Sequence, residues 1–212
     1  MDTTPQDLLV VALEAGTGPP PEQGDLSLAL AGAELIDLLD AGAVRLDGTR
    51  ILPAGPAPAT EALLAEAAAA VLRQPPFESV EDWLWRRGRG LAAAYASALG
   101  TPPGTRGPRL HPHLRLHRTA PRAKPGDPAP PESAGRRAAI DRWMSREPVL
   151  TALAAAAGIA ARSPGEQPDI TDDDLAAVLA TVNDAVRELD AVRRRRAVED
   201  AAFDNIWRGG VG

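Results

Sequence analysis

Residues 26–52 carry the clearest structural signal in the chain and read LSLALAGAELIDLLDAGAVRLDGTRIL. The first part predicts a helix from about Leu26 to Ala41, because leucines recur there at helical spacing and Gly42 follows as a stop signal. The apolar positions form one broad face, which contains Leu28, Leu35, Leu38 and Leu39. This part of the chain therefore predicts a helix that packs through that face.

The second part, residues 43–52, predicts a short β-hairpin. Asp47-Gly48 lies between two short alternating runs, which is a strong hairpin signal. Val44 and Leu46 share one face of the first strand in this prediction, and charged residues occupy the opposite face. A helix followed directly by a hairpin is thus the expected local structure.

The flanking sequence predicts a mostly α-helical fold. The chain has 212 residues, of which 44% are hydrophobic and only 3% aromatic, so the apolar residues are mainly Ala, Leu and Val. Such side chains suit closely packed helices better than a large sheet. Periodicity and capping signals predict further helices at about 4–13, 60–73, 79–100, 133–146, 148–161 and 171–203. We expect one multi-helix domain over residues 1–212, with the hairpin at 43–52, a second peripheral hairpin at about 109–124 and a flexible Pro-rich loop at about 120–132.

Several classes of protein are excluded by composition. Cysteine is absent, which excludes disulfides, thiolate metal sites and cysteine nucleophiles. No stretch approaches the ~18 consecutive apolar residues of a membrane span. The N-terminal residues are acidic and lack the basic start of a secretory signal. These features predict a cytoplasmic protein whose membrane contact is peripheral, at the inner face of the membrane.

Charge is distributed unevenly along the chain. The formal net charge is −6, yet residues 1–66 hold eleven acidic and only two basic residues. Residues 73–124 instead hold ten basic and three acidic residues. The middle of the chain is therefore locally cationic in an acidic protein.

Arg86, Arg87 and Arg89 are the first candidate residues for binding an anion. Phosphate recognition needs cationic donors aimed at one point, and arginine offers a planar, bidentate donor. On one continuous helix, Arg86 and Arg89 are neighbours at i, i+3, and Arg87 points elsewhere. The alternative interpretation is a solvated helix face whose arginines pair with Asp82 or with the acidic N-terminal region.

A second candidate is the alternating segment from Arg109 to Thr119. Strand alternation places its leucines on one face and its histidines and Arg115 on the other. This ribbon is predicted to lie on an anionic bilayer or to pair with another subunit, and a structural hairpin that covers the core is the alternative. The membrane or oligomer residues are His113, Leu114, Arg115, Leu116, His117 and Arg118. All three histidines of the chain lie in this ribbon, but no carboxylate is near in sequence, so we predict no metal site.

Two charged runs near the C terminus are interpreted as helix-end signals. Asp172, Asp173 and Asp174 place acids at a helix N-terminus, where the helix dipole favours them. Residues 193–196 are four arginines near a helix C-terminus, which is the favourable end for cations. Contact of this run with nucleic acid or lipid is the alternative.

Three stretches together resemble the Golgi phosphoprotein 3 family, in its bacterial branch. They are Leu30-Ala31-Gly32-Ala33-Glu34-Leu35-Ile36-Asp37-Leu38 followed by the short hairpin, Gln74-Pro75-Pro76 followed by Ser79-Val80-Glu81-Asp82-Trp83-Leu84, and the hairpin candidate after Gly107. The resemblance covers roughly residues 4–200 and is close over about 26–100. It implies a mostly helical fold with a peripheral hairpin. Eukaryotic members bind phosphatidylinositol 4-phosphate on Golgi membranes, hold the cytosolic tails of glycosyltransferases and can oligomerise.

The resemblance also implies a lipid head-group pocket, built in those members from one tryptophan and three arginines. The first of two paired arginines in that pocket falls on Arg89 of this sequence. The other three positions fall near Glu22 and on Ala31 and Ala92. One of the four pocket positions therefore keeps its residue type.

These observations favour a peripheral membrane or lipid-binding adaptor that needs no cofactor and is not an enzyme, because no residue constellation indicates a reaction. The expected partner is an anionic lipid or membrane surface, together with self-association through the 109–124 hairpin. One alternative is an oligomeric interaction module without lipid binding. The other is a winged-helix nucleic-acid binder with residues 26–42 as its recognition helix. That region carries Asp37, Asp40 and other acids but no base, so phosphate repulsion predicts that nucleic acid is not bound.

Overall fold

A computed structural model describes residues 3–14, 19–56, 61–100, 131–159 and 170–209. Within these ranges the chain forms eight helices and one two-stranded antiparallel hairpin. The helices are α1 Thr4–Glu14, α2 Gln23–Asp40, α3 Ala62–Ala70, α4 Val80–Arg87, α5 Leu91–Ala98, α6 Pro131–Met144, α7 Pro148–Ala156 and α8 Asp173–Gly209, and the strands are β1 Val44–Asp47 and β2 Arg50–Pro53. The predicted fold class, mostly α with a short hairpin, is confirmed.

Two predicted segments fall largely outside the described residues. The second hairpin, at about 109–124, lies wholly outside them. The Pro-rich loop, at about 120–132, lies outside them up to residue 130, and α6 begins at Pro131.

Helix α2 lies at the centre of the fold. The helices α1, α3, α4, α5, α7 and α8 all contact it, and its buried positions run from Leu26 to Leu38. Helix α8 packs closely against Gly32, where an added Cβ would lie 2.4 Å from Val182 Cγ2. A helix enclosed in this way has little surface left for a nucleic-acid groove, which argues against the alternative with α2 as a recognition helix.

The hairpin at residues 43–52 forms as predicted. Val44 pairs with Pro53 and Asp47 with Arg50, so Gly48 and Thr49 form the two-residue turn. The pattern of faces is also confirmed, because Val44 is buried and the strand's charged residues are exposed. Gly48 has a φ of +60°, a conformation that glycine adopts without steric cost.

The strand β2 also pairs with the residues just before α4. Ile51 N–H donates to the main-chain oxygen of Glu78 at 3.0 Å, and Val80 N–H donates to that of Thr49 at 2.9 Å. Ser79 Oγ accepts from Asp82 N–H at 3.0 Å, while the Asp82 carboxylate accepts from Ser79 N–H at 3.3 Å. This reciprocal cap confirms the helix start predicted at Ser79.

The single helix predicted over residues 79–100 is wrong, because it is broken into α4 and α5. The helix α4 ends at Arg87, and Gly90 has a φ of +71° that interrupts the regular backbone. Glycine at position 90 adopts this left-handed conformation without steric cost. Arg86 and Arg89 are therefore not i, i+3 neighbours on one regular helix.

Helix α1 is anchored to α2 by a carboxylate from the neighbouring helix. Thr4 N–H, at the first position of α1, donates to Asp37 Oδ2 at 2.9 Å. Burial raises the pKa of Asp37 to about 6, although the hydrogen bond from Thr4 opposes this shift. Asp37 thus accepts a hydrogen bond from an N–H group of α1 that has no partner within its own helix. When Asp37 is ionised, its partly buried charge destabilises the folded state.

The variant D37N should gain stability relative to the native protein as pH rises from about 4 to about 7. The pKa of Asp37 in the fold exceeds its ordinary value of 3.8, so its ionisation destabilises the folded state over this range. Asparagine keeps an oxygen for Thr4 N–H and does not ionise. Between the two pH values, the free energy of unfolding of D37N minus that of the native protein should change by about 1–3 kcal/mol. Urea denaturation at both pH values measures this change. An unchanged difference would contradict the burial of this charge.

Candidate anion-binding site

Two of the three predicted arginines end α4, and Arg89 lies in the turn between α4 and α5. This turn packs on the first two turns of α2. Ala92 N–H donates to Ser27 Oγ at 3.1 Å. An added Cβ at Gly88 would lie 3.4 Å from both the main-chain oxygen of Ser27 and Leu28 Cδ2. The turn at residues 88–90 is therefore held close to the N-terminal end of α2.

Arg86 is engaged by groups within the fold. Its Nε and Nη2 donate to the carboxylate of Glu78 at 3.0 and 2.5 Å. Nη2 also donates to the main-chain oxygen of Ala70 at 3.1 Å, and the guanidinium lies 5.3 Å from the centre of the Trp83 ring. The Arg86 side chain is 44% exposed, but its charge is matched by that of Glu78. Arg86 thus joins α3 and α4 through the segment that precedes α4.

Arg87 takes part in a buried polar cluster. Its Nε and Nη2 donate to Glu34 Oε2 and Oε1 at 2.7 and 2.9 Å, and Nη2 donates to the main-chain oxygen of Leu63 at 3.1 Å. Tyr95 Oη donates to Glu34 Oε1 at 3.0 Å. The side chain of Glu34 is 0% exposed, and that of Arg87 is 16% exposed. Arg87 therefore neutralises an acid in the core.

The electrostatics of this cluster follow from its burial. Burial raises the pKa of Glu34, although Arg87 and Tyr95 stabilise the carboxylate. Burial, together with the nearby charge of Glu34, also raises the pKa of the Tyr95 phenol. At neutral pH the phenol therefore donates to the carboxylate, and Arg87 supplies the compensating charge.

Arg89 differs from the other two arginines. It is exposed within the turn at residues 88–90, and it forms no hydrogen bond or ion pair with the residues that the structure describes. The described guanidinium groups of Arg86, Arg87 and Arg89 therefore do not converge on one point. Two of them hold the fold together, and one is open to solvent.

The sequence profile of the family described as Golgi phosphoprotein 3 (GPP34) matches residues 5–197. The chain belongs to the Golgi phosphoprotein 3 family. No curated protein and no solved structure gives a significant match to it. The family resemblance noted in the sequence is thus confirmed over most of the chain.

Two positions that the family resemblance places in the head-group pocket lie in the core. Ala31 is 0% exposed, and its main-chain oxygen accepts from Trp83 Nε1 at 3.1 Å. Ala92 is also buried. Of the pocket positions carried over from the Golgi phosphoprotein 3 family, only Arg89 offers a guanidinium, and Glu22 near the remaining position is exposed and acidic.

The histidine ribbon lies outside the described residues. His113, Leu114, Arg115, Leu116, His117 and Arg118 all fall there, so their proposed role stays a prediction. Within the described ranges, no three acidic or histidine side chains are arranged to hold a metal ion. None of the helices in these ranges is long and apolar enough to cross a membrane.

A groove of about 270 Å³ lies between the hairpin turn, the start of α4 and α8. Its charged lining residues are all acidic: Glu81, Asp184 and Glu188. Because these carboxylates repel phosphate, the groove does not suit an anionic head group.

Sequence reasoning missed the acids that engage the arginines. Glu34 and Arg87 are 53 positions apart, and Arg193 Nη1 lies 2.7 Å from Asp25 Oδ1 across 168 positions. One signal was available, because Glu34 interrupts an otherwise apolar stretch of α2. An acid at such a position in a core helix requires a partner.

Proposed function

We propose that this protein is a peripheral adaptor that docks on an anionic membrane surface through the end of α2 where Arg89 lies. Arg89 is the observation that carries the proposal. It is exposed and has no ion pair with the described residues, and it lies at the one family pocket position that keeps its residue type. Membership of the Golgi phosphoprotein 3 family supports a lipid or adaptor role. The buried ionisable cluster of Glu34, Arg87 and Tyr95 is enclosed by the fold, which fits an adaptor better than an enzyme.

Binding in this proposal follows membrane charge and does not depend on the identity of the head group. Recognition of one phosphoinositide needs several donors directed at the same phosphate. Here Arg86 and Arg87 are bonded to Glu78 and Glu34. The guanidinium of Arg89 attracts an anionic surface but does not by itself form a pocket for one head group. Vesicles with phosphatidylglycerol or with phosphatidylinositol 4-phosphate should therefore bind equally at matched charge.

The variant R89Q should weaken binding to anionic vesicles about fivefold. The reason is that one basic residue near an anionic surface contributes about 1 kcal/mol. Cosedimentation with phosphatidylcholine vesicles that contain phosphatidylglycerol, at low ionic strength, measures the effect. Raising the salt concentration should weaken native binding and reduce the difference between the two proteins.

Arg73 provides a matched control for this experiment. It is also an exposed arginine, but it lines a small cavity with Ala43 and Val44, which follow the opposite end of α2. R73Q removes the same charge and should change vesicle binding less than about twofold, because Arg73 lies near the end of α2 opposite to Arg89. Equal losses in R89Q and R73Q would contradict docking through the Arg89 end.

A further inference from the structure

The last helix brings a second group of arginines to the same end of α2. Gly24, in the first turn of α2, allows this approach: an added Cβ would lie 2.6 Å from Arg193 Nη2 and 2.7 Å from Leu189 Cδ2. Arg193 Nη1 also donates to Asp25 Oδ1 at 2.7 Å. These contacts fix α8 across the N-terminal turn of α2.

The direction of α8 places the rest of its arginines beyond that turn. Val182 faces Gly32 and Arg193 faces Gly24, so α8 runs antiparallel to α2. Helix α8 continues to Gly209, which carries it roughly 24 Å past Arg193 at a rise of 1.5 Å per residue. The following arginines therefore project past the start of α2.

The turn that holds Arg89 borders the same part of α2. That turn contacts Ser27 and Leu28, and Gly24, Ser27 and Leu28 share one side of α2 because they are three and four residues apart. The α8 arginines and Arg89 thus flank one end of one helix.

Arg195 and Arg196 are available for binding. Both are exposed, and neither forms a hydrogen bond or ion pair with a residue in the described ranges. Arg194, by contrast, pairs with Asp190. The exposed acids Glu199 and Asp200 follow one turn later and reduce the net charge of this part of α8.

Exposed valines flank Arg195 on its own side of the helix. Val192 is three residues before Arg195 and Val198 three residues after it, so the three side chains follow one another along one face. Val198 is 69% exposed. Helices that lie at a bilayer interface combine arginines, which attract anionic head groups, with exposed apolar side chains that reach the acyl boundary.

We infer that Arg195 and Arg196 of α8, with Val192 and Val198 beside them, form a second contact with the anionic bilayer, next to Arg89. The inference rests on the proposed function and extends it to residues outside the family's head-group positions. The bilayer is the occupant that fits, because a basic and apolar stripe complements charged head groups and the acyl boundary together. The phosphates of a nucleic acid would interact with the two arginines but not with the exposed valines.

The double variant R195Q/R196Q tests this inference. Vesicles of phosphatidylcholine with one-third phosphatidylglycerol, at 0.1 M salt, should bind about 25-fold more weakly, which is about fivefold for each charge. Arg187 is the matched control, an exposed α8 arginine that pairs with Asp184. It lies roughly 13 Å along the helix from Arg196, which exceeds the screening length of about 10 Å at this salt concentration. R187Q should therefore change binding less than about twofold.

A third variant separates a bilayer from other polyanions. V198S should weaken vesicle binding severalfold and leave binding to random duplex DNA unchanged, because only the bilayer accepts the apolar side chain. If the native chain binds duplex DNA more tightly than vesicles, and V198S changes neither, the assignment to a bilayer is overturned.

The outcomes for the two contacts are distinguishable. If the native protein does not bind anionic vesicles at all, the proposed function and this inference both fail. If R89Q weakens binding and R195Q/R196Q behaves like R187Q, only the α8 contact fails. Losses in both R89Q and R195Q/R196Q support two adjacent contacts.

Discussion

Replacing Arg87 with alanine is expected to destabilise the protein by about 3–5 kcal/mol. Glu34 is 0% exposed and receives two hydrogen bonds from Arg87. Removing the guanidinium leaves a carboxylate in the core with Tyr95 as its remaining side-chain donor. A loss of this size is a large part of the 5–15 kcal/mol that stabilises most domains. Urea denaturation followed by circular dichroism measures it.

The pH dependence identifies the cause of this loss. Burial already raises the pKa of Glu34, and without Arg87 the pKa should rise further. The carboxyl group then takes up a proton as pH falls, so the penalty of R87A should be largest at neutral pH and smaller at about pH 5. A penalty that does not change with pH would show that lost packing, not buried charge, is the cause.

Two further variants keep this prediction testable if R87A fails to fold. The double variant E34L/R87M replaces the ion pair with apolar side chains of similar length and should recover part of the lost stability, because Tyr95 Oη then lacks its acceptor. R187A removes an arginine whose partner, Asp184, is exposed like itself. It should change the free energy of unfolding by less than about 1 kcal/mol. A loss in R187A as large as that in R87A would contradict the role of burial.

Replacing Gly32 with alanine should also lower stability, by about 1–3 kcal/mol. On helix propensity alone, the change would add about 1 kcal/mol of stability. Overpacking outweighs this gain, because the new Cβ would lie 2.4 Å from Cγ2 of Val182, which is 0% exposed. To relieve the contact, α8 must move away from α2.

The variant G32A/V182A provides the test of this steric explanation. Removing the valine methyl groups makes room for the new Cβ, so the double variant should be more stable than the sum of the two single changes predicts. The free energies of unfolding of all four proteins give this coupling. Additive effects would show that Gly32 is needed for a reason other than contact with Val182.

Local signals in the sequence were sufficient for most of the regular elements of the fold. The hairpin was predictable because Gly48, directly after Asp47, permits a tight turn between two alternating runs. The start of α4 was predictable because Ser79 and Asp82 are at capping distance. The break between α4 and α5 was missed, although Gly88 and Gly90 indicate the end of a helix. The apolar spacing on either side resembles one continuous helix, and the packing of Gly88 on α2 is not visible in a linear pattern.

The candidate site was predictable only as a set of residue types. Sequence spacing grouped Arg86, Arg87 and Arg89 because they are adjacent in the chain. Their roles depend on partners from distant segments, such as Glu34, 53 positions from Arg87. Tertiary contacts therefore decide which arginine is free, and these follow from the packing of α2 against its neighbours.

The hairpin is joined to the start of α4 by main-chain atoms, and this gives it a practical use. Its turn includes Thr49, whose carbonyl is bonded to Val80 N–H, while Ile51 N–H is bonded to Glu78. Substitutions in the hairpin other than proline at Ile51 keep the atoms of both bonds, since neither bond involves a side chain. A spectroscopic label attached to the tip of the hairpin would therefore move with α4. It would report a displacement of that helix when the protein binds its partner.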